Sequence, residues 1–502
     1  MFTKTTNSEN GRAFEVSYSK PGSKKRQDQL KLDIGLGKQI EANFDAGEVS
    51  SDGGLLLLRK ADEKLELTKL AALCIKDERQ GAVRHTIEKL FRQRVHAIAA
   101  GYEDCNDVAR FGHDPMHLLD QGVLLSGTVC LASQPTLSRF ENSIDSVTLS
   151  ALQSLLRHAF VRTRKRAPKV LRLYMDTTHD EVHGYQQLSF YNGFYQTYCY
   201  TPLFIFADCG FPLCAVLRQG NASPAEGALR ALKEIIKDIR LSWPETSIEL
   251  AADAGFAVPE LYEYCEQNSI TYFICDGSHA GYAYHTENTV RDCKAIFEEF
   301  DGRVIELKKY AVPVNPKDRK RAWRQREERI RFSSKADGRM QEHFEDDLAI
   351  RRYCEFLYRS REWSRDRRII ARIEYTAEGP NVRYVVTNAT GSYAKRIYEK
   401  KYCPRAKCEN WIKELKNYLK CDRTSCQEFE ANQFRLLLHT FAYVLLWEVR
   451  RKAAMKHSTV ETVRLQLIKV GVLVKETANK VRLSFASNHP WQKSFRRAWL
   501  FL

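Results

Sequence analysis

The sequence lacks any apolar stretch long enough to span a bilayer, which takes about 20 residues. The longest apolar run at helical spacing, Leu436–Trp447, is closed by Arg435 and Glu448. An apolar secretory segment is also missing, because Met1–Arg12 is polar. These absences predict a cytoplasmic chain with no membrane association. In that compartment its 14 cysteines are expected as thiols, not as a disulfide framework. Internal repeats are absent as well, which sets solenoids and propellers aside. Tight cysteine pairs are missing from Cys403, Cys408, Cys421 and Cys426, which are spaced C-x4-C-x12-C-x4-C. Structural zinc sites use closer pairs, and cysteines five apart on a helix do not share a face, so no zinc site is expected.

Acidic residues are in deficit. Asp and Glu number 63 against 79 Lys and Arg, a net charge of +16. That balance favours a polyanionic partner, of which nucleic acid is the commonest large one. With 502 residues, 43% of them hydrophobic, the chain can bury a real core and is expected to form about three domains.

The first 30 residues are polar and carry Pro21-Gly22-Ser23 followed by Lys24-Lys25-Arg26, which reads as a flexible basic arm. Residues 31–165 read as helical. Val83–Ala100 places apolar residues at helical spacing and stops at Gly101. Ser133-Gln134-Pro135 suits a helix start, from which Thr136 and Arg139 would project; an ordinary capped helix explains the same residues.

From Val170 the pattern changes to strands: Val170–Met175, Tyr200–Ala207 and Phe211–Leu217, the last two parted by Asp208-Cys209-Gly210. A helix over Pro224–Ile239 with Ser223 as its cap, a strand Ser247–Ala252, a helix Val258–Gln267 and a strand Thr271–Cys275 follow. The order is similar to the ribonuclease-H-like fold, an α/β core with a mixed sheet. Strand-like runs then return at Arg303–Leu307, Ile369–Tyr375 and Asn381–Thr387, followed by helices over 402–420 and 429–450. Arg303–Arg331 carries a local net charge of +7, with Trp323 between Arg321 and Arg324. Basic residues interleaved with an aromatic suit a nucleic-acid groove, and equally a solvated helix face.

Three acids stand out by context. Asp176 ends one strand and Asp253 another, each before a small-residue turn, and Glu409 lies on the helix after Pro404. Two strand-end carboxylates on neighbouring strands can hold hard divalent cations, which prefer oxygen ligands. Tyr402, Arg405, Glu409 and Lys416 follow Y-x2-R-x3-E-x6-K. At about 100° per residue they fall within one narrow face of a regular helix. Arg and Lys there suit phosphate oxygens; a plain Arg405–Glu409 surface ion pair is the alternative.

This signature resembles that of the DDE transposases of bacterial insertion sequences, in the branch known for its Y-R-E-K motif. Met175-Asp176-Thr177-Thr178, Asp253-Ala254-Gly255-Phe256 and Glu409-Asn410-Trp411-Ile412 look like that branch too. Ser50-Ser51-Asp52-Gly53-Gly54, Gly101-Tyr102-Glu103-Asp104, Thr136-Leu137-Ser138-Arg139 and His183-Gly184 are similar to insertion-sequence family thirteen-eighty. The resemblance runs from about residue 45 to the C-terminus.

The resemblance implies a cut-and-paste transposase. Asp176, Asp253 and Glu409 would be catalytic and would bind two Mg²⁺ or Mn²⁺ ions. Tyr402, Arg405 and Lys416 would contact the transposon end, with Thr136, Arg139, Arg321, Trp323 and Arg324 as further DNA contacts. Partners would be double-stranded DNA, both terminal inverted repeats and target, and a second copy of the chain. The implied division is a basic arm (1–30), a helical DNA-binding region (31–165), a ribonuclease-H-like core in two parts (166–280 and 398–450), a β-rich insertion domain (281–397) and a helical DNA-end or dimer region (451–502). Asp180 is a second acid in the Asp176 turn. Two other readings share much of this pattern: a transposase-derived DNA-binding protein without chemistry, and a nuclease that only hydrolyses.

The charge excess makes a direct prediction. DNA affinity should fall steeply as salt rises, because phosphate contacts release counterions; a binding isotherm that is flat across a salt titration contradicts it.

Overall fold

The computed structural model describes residues 30–32, 38, 40–127, 129–309 and 349–502, with the backbone alone for 30–32 and 301–309. Its frame is one eight-stranded mixed sheet. In chain order the strands are β1 (Val170–Thr177), β2 (Leu203–Ala207), β3 (Pro212–Val216), β4 (Ser247–Ala252), β5 (Ile270–Asp276), β6 (Ile350–Tyr358), β7 (Arg367–Thr376) and β8 (Gly379–Thr387). Their order across the sheet is β6-β7-β8-β5-β4-β1-β2-β3. Strands β1, β4 and β5 run parallel, and every other pairing is antiparallel. Central strands read as continuous apolar runs because both faces are covered; all five residues of β2 are buried.

Helices link and cover these strands. Ala228–Ser242 joins β3 to β4 and buries Ala228, Leu232, Ile235, Ile236 and Ile239, the spacing of one helical stripe. It starts later than its sequence suggests, and Ser223 does not cap it. Arg218 Nη1 donates to the carbonyls of Ser223, Pro224 and Glu226, at 3.0, 2.8 and 2.8 Å, and Gly227 at φ +72° turns the chain into the helix. Pro259–Gln267 joins β4 to β5.

The segment after β5 corrects one expectation. Arg303–Leu307 lies in the helix Ala280–Lys309, not in a strand. Tyr282, Thr286, Cys293 and Phe297 are buried at helical spacing, and the helix packs on β6 and β7. The strands beyond it do not close a sheet of their own. They extend the central sheet, with β8 running antiparallel to β5 from Phe273 opposite Thr387 to Asp276 opposite Tyr384.

The helical N-terminal region is built into the same core. Helix Ile87–Ala100 is capped by Thr86, whose side chain accepts from Lys89 N, and ends at Gly101 with φ +95°. It lies on the long helix Phe429–Lys452, where Phe91 meets Phe441 at 5.4 Å. That long helix is nearly all buried, which accounts for its apolar run; among the described residues no helix is long and apolar enough to cross a membrane. Glu141 accepts from Arg94 at 2.6 Å and from Arg435 at 3.0 Å, all three buried, and so ties three helices together.

The C-terminal region differs from its helical expectation. Val472–Thr477 and Lys480–Phe485 form a hairpin that pairs with Val49–Ser50, and the helix Gln492–Phe501 follows. Alternating exposure along Lys480–Phe485 shows a period of two, the mark of a strand.

Glu141→Ala would leave two buried guanidinium groups without their shared carboxylate. Breaking a buried ion pair from one side costs about 3–5 kcal/mol. A marked fall in thermal midpoint is expected; an unchanged midpoint contradicts the role of this triad.

Candidate active site

Strand pairing sets the first two acids side by side. In the parallel β1–β4 ladder Met175 stands opposite Ala252. The next residue of each strand is an aspartate, so Asp176 and Asp253 stand abreast at the carboxyl ends. Asp176 accepts from Thr177 N at 3.0 Å, and Asp253 accepts from Gly255 N at 3.0 Å. Gly255 is required there, since a Cβ would come within 2.6 Å of Pro224.

Glu409 arrives from the helical segment Lys407–Lys413. Two neighbours press this segment onto the sheet. Cys408 is fully buried against the Tyr174 carbonyl, and the Trp411 ring lies over Tyr174 and Phe206, with centroids 6.1 and 5.4 Å apart. Gly210 makes room for Trp411, for a Cβ there would lie 2.8 Å from the indole. With that face held down, Glu409 is turned outward and its side chain is 51% exposed.

Asp176, Asp253 and Glu409 line one open cleft of about 510 Å³, together with Arg405, Lys413 and Lys416. Arg405 sits between acids: Nη1 is 3.1 Å from Asp176 Oδ2 and Nη2 is 3.4 Å from Glu409 Oε1. Burial pushes the Asp176 carboxyl up to about 6; the Asp253 charge adds to the rise and Arg405 opposes it. Burial also raises Asp253, again against the pull of Arg405. The cleft therefore holds carboxylates that disfavour their own charge and would gain from a further cation. Among the described residues no three metal-ligating side chains close into a ready cluster. The Arg405 guanidinium occupies the space between Asp176 and Glu409. The donors are all hard carboxylate oxygens, the chemistry that suits Mg²⁺ or Mn²⁺.

Lys416 reaches the Asp176 turn from below. Its Nζ donates to Thr178 Oγ1 at 3.3 Å and to the His179 carbonyl, and lies 3.5 Å from Asp180 Oδ1. Asp180 is fully buried and is not part of the cleft wall; burial pushes its carboxyl up to about 7.

Tyr402 does not share the cleft. It is buried against Tyr398 at 5.4 Å, and burial and the Cys275 thiol beside it raise its phenol well above the usual range. The stretch from Ala394 to Tyr418 is not one regular helix. Tyr398–Tyr402 and Glu414–Tyr418 are π turns, and Cys403–Ala406 is a 3₁₀ turn. A uniform step of about 100° per residue fails across such turns, which rotates Tyr402 off the face that carries Arg405, Glu409 and Lys416. Thr136 and Arg139 lie on the helix Gln134–Glu141, with Ser133 at its N-cap; Arg139 is exposed, and neither residue lines the cleft. Arg321, Trp323 and Arg324 lie outside the described residues.

One residue beside the cleft has no place in the sequence reading. The Tyr195 ring stacks on His179 at 4.1 Å, and after burial and Cys199 the charges of Asp176 and Asp253 raise its phenol further. The signal was present: residues 182–207 contain no Asp, Glu, Lys or Arg and are dense in aromatics.

Strand-end aspartates, a helix glutamate and three cations on one cleft suit an enzyme that works on phosphate esters. Comparison with known families is more specific. The model for the transposase DDE domain, group 1, matches residues 32–293 and 306–502, and the chain belongs to that family of DNA transposases. No curated protein matches. Among solved structures, the cryo-EM structure of a piggyBac transposase synaptic complex with hairpin DNA shares 10% identity over 84% of this chain and 80% of that one, with a TM-score of 0.37.

The raised Asp176 carboxyl has a sign that can be measured. Its folded value lies above its unfolded one, so the stability it gives is full below about pH 4 and is lost as pH rises through about 6. Without divalent cations, Asp176→Asn is expected to raise the thermal midpoint at pH 7.5 and to match wild type at pH 4. A lower midpoint at pH 7.5 contradicts this electrostatic account.

Proposed function

We propose that this chain is the transposase of a bacterial insertion sequence, of the Y-R-E-K branch and similar to family thirteen-eighty, working by a cut-and-paste route. The observation that carries the proposal is the meeting of Asp176, Asp253 and Glu409 on one cleft with Arg405 and Lys416 beside them. The core is read as ribonuclease-H-like. The strand order β3-β2-β1-β4-β5, with β2 alone antiparallel to its central neighbours, supports that reading.

Asp176, Asp253 and Glu409 would hold two divalent cations of the Mg²⁺ or Mn²⁺ class, which supply activation of the attacking oxygen and neutralisation of the leaving one. Arg405 is set between carboxylates and phosphate. Released from Asp176 and Glu409, its planar fork suits two oxygens of one phosphate. Lys416 fixes the turn that follows Asp176 and presents a point charge to the same cleft. Tyr402, expected at the transposon end, packs against Tyr398 in the core behind this wall. The substrate attacked first is the phosphodiester at each element end, cut by water. The freed 3′-OH then attacks target DNA. Residues 31–165, with Thr136 and Arg139, are assigned to duplex binding, and two copies of the chain act together, because two ends must be joined. The site of action is the cytoplasm, at the nucleoid.

The test is cleavage of labelled DNA carrying the element's own ends, in Mg²⁺ or Mn²⁺. Wild type is expected to cut at the ends, while Glu409→Gln binds the same DNA and does not cut. If both bind and neither cuts in either metal, a DNA-binding protein without chemistry replaces this reading. Cutting without any joined product favours a nuclease that only hydrolyses.

A further inference from the structure

Between β1 and β2 the chain makes a small three-stranded sheet from Asp180–Glu181, Phe190–Asn192 and Thr197–Tyr200. Its hairpin projects aromatic rings into solvent. Phe194 is 86% exposed, Tyr198 58% and Tyr191 54%. Single exposed aromatics are ordinary, but a group of them on one charge-free hairpin marks an interaction surface.

The hairpin is rigid. Asn192 Oδ1 accepts from the backbone N–H of Phe194 at 3.0 Å and of Tyr195 at 3.3 Å, and Gln196 N closes onto the Asn192 carbonyl at 2.8 Å. Asn192 Nδ2 also donates to the Gly220 carbonyl at 2.7 Å. Gly220 lets the hairpin lie against the sheet edge, since a Cβ there would come within 2.4 Å of the Phe190 carbonyl. The rings are thus held outward by backbone and are not free to fold back onto the core.

The same hairpin is continuous with the cleft. Phe194 meets Tyr195 edge to face at 4.9 Å, and Tyr195 stacks on His179, next to the Thr177 and Thr178 wall. A chain of rings therefore leads from beside the carboxylates to the solvent, with Lys416 bonded to the His179 carbonyl at its inner end. Phosphate belongs with the cations. Phe194 has no group for a phosphate and the tyrosines only a hydroxyl; the exposed ring faces offer stacking to bases, and a base has to leave its duplex to reach them.

We propose that the Phe190–Tyr198 hairpin is a stacking platform for unpaired DNA bases beside the point of cleavage, with Phe194 as its outermost ring. The inference rests on the DNA-processing reading of the cleft. Its test reads binding and needs no cutting, so it fails separately from that reading. The probes are a fluorescent blunt duplex and the same duplex with a three-nucleotide single-stranded extension carrying 2-aminopurine, in buffer without divalent cations. Wild type is expected to prefer the extended probe and to quench 2-aminopurine. Phe194→Ala and Tyr198→Ala are each expected to weaken binding of the extended probe about tenfold and to leave the blunt duplex unchanged. Equal affinity of wild type and Phe194→Ala for the extended probe overturns the proposal, as does an equal loss on both probes. Conversion of a wild-type dimer to a monomer by Phe194→Ala in sedimentation also overturns it, since the hairpin would then be a contact between copies of the chain.

Discussion

The constraint on which the site depends is the parallel pairing of β1 with β4. It sets Asp176 and Asp253 at one level, where the Asp253 charge adds to the cost of charging Asp176. Partly buried carboxylates so placed either take up protons or gain from a counter-charge. In the structure Arg405 supplies it, reaching Asp176 and Glu409 at once. This makes the cleft an assembly whose cation can be exchanged. The guanidinium is a monovalent stand-in at a place where hard oxygen donors suit a divalent ion. In the proposed reaction the same arginine would pass from counter-ion to phosphate ligand.

The scaffold explains how such strain is held. The Glu409 segment is clamped by Cys408 and Trp411, and Trp411 needs the glycine at 210. The long buried helix Phe429–Lys452 then braces the sheet and the N-terminal helices as one core. Strands β6, β7 and β8 belong to this frame too, because β8 pairs directly with β5. Strand β4, which leads into Asp253, lies between β1 and β5, and β8 covers the outer edge of β5.

Much of this was legible in the sequence, for physical reasons. Strands with both faces buried read as plain apolar runs, so β1, β2, β4 and β5 were visible, with Asp176 and Asp253 at their ends. The acid, arginine and lysine spaced along 405–416 could be placed on a common face. Tyr402 could not, because π and 3₁₀ turns depend on tertiary packing and leave no mark in a periodic pattern. The late start of Ala228–Ser242 depends on Arg218 gathering three carbonyls, a contact no local rule contains. Val472–Phe485 carries its strand signal only as an alternation of period two in two six-residue runs. The aromatic hairpin has no charged residue, so its mark in the sequence is an absence.

The central claim is that Asp176, Asp253 and Glu409 act as one cation-binding unit. Mn²⁺ titration of the DNA-free protein, followed by calorimetry, tests it most directly. Wild type is expected to bind Mn²⁺, and Asp176→Asn, Asp253→Asn and Glu409→Gln are each expected to weaken that binding at least about tenfold, or 1.4 kcal/mol. Asp180→Asn, at a carboxylate outside the cleft, is expected to leave it intact. Equal Mn²⁺ affinity in wild type and all three cleft variants would contradict the account.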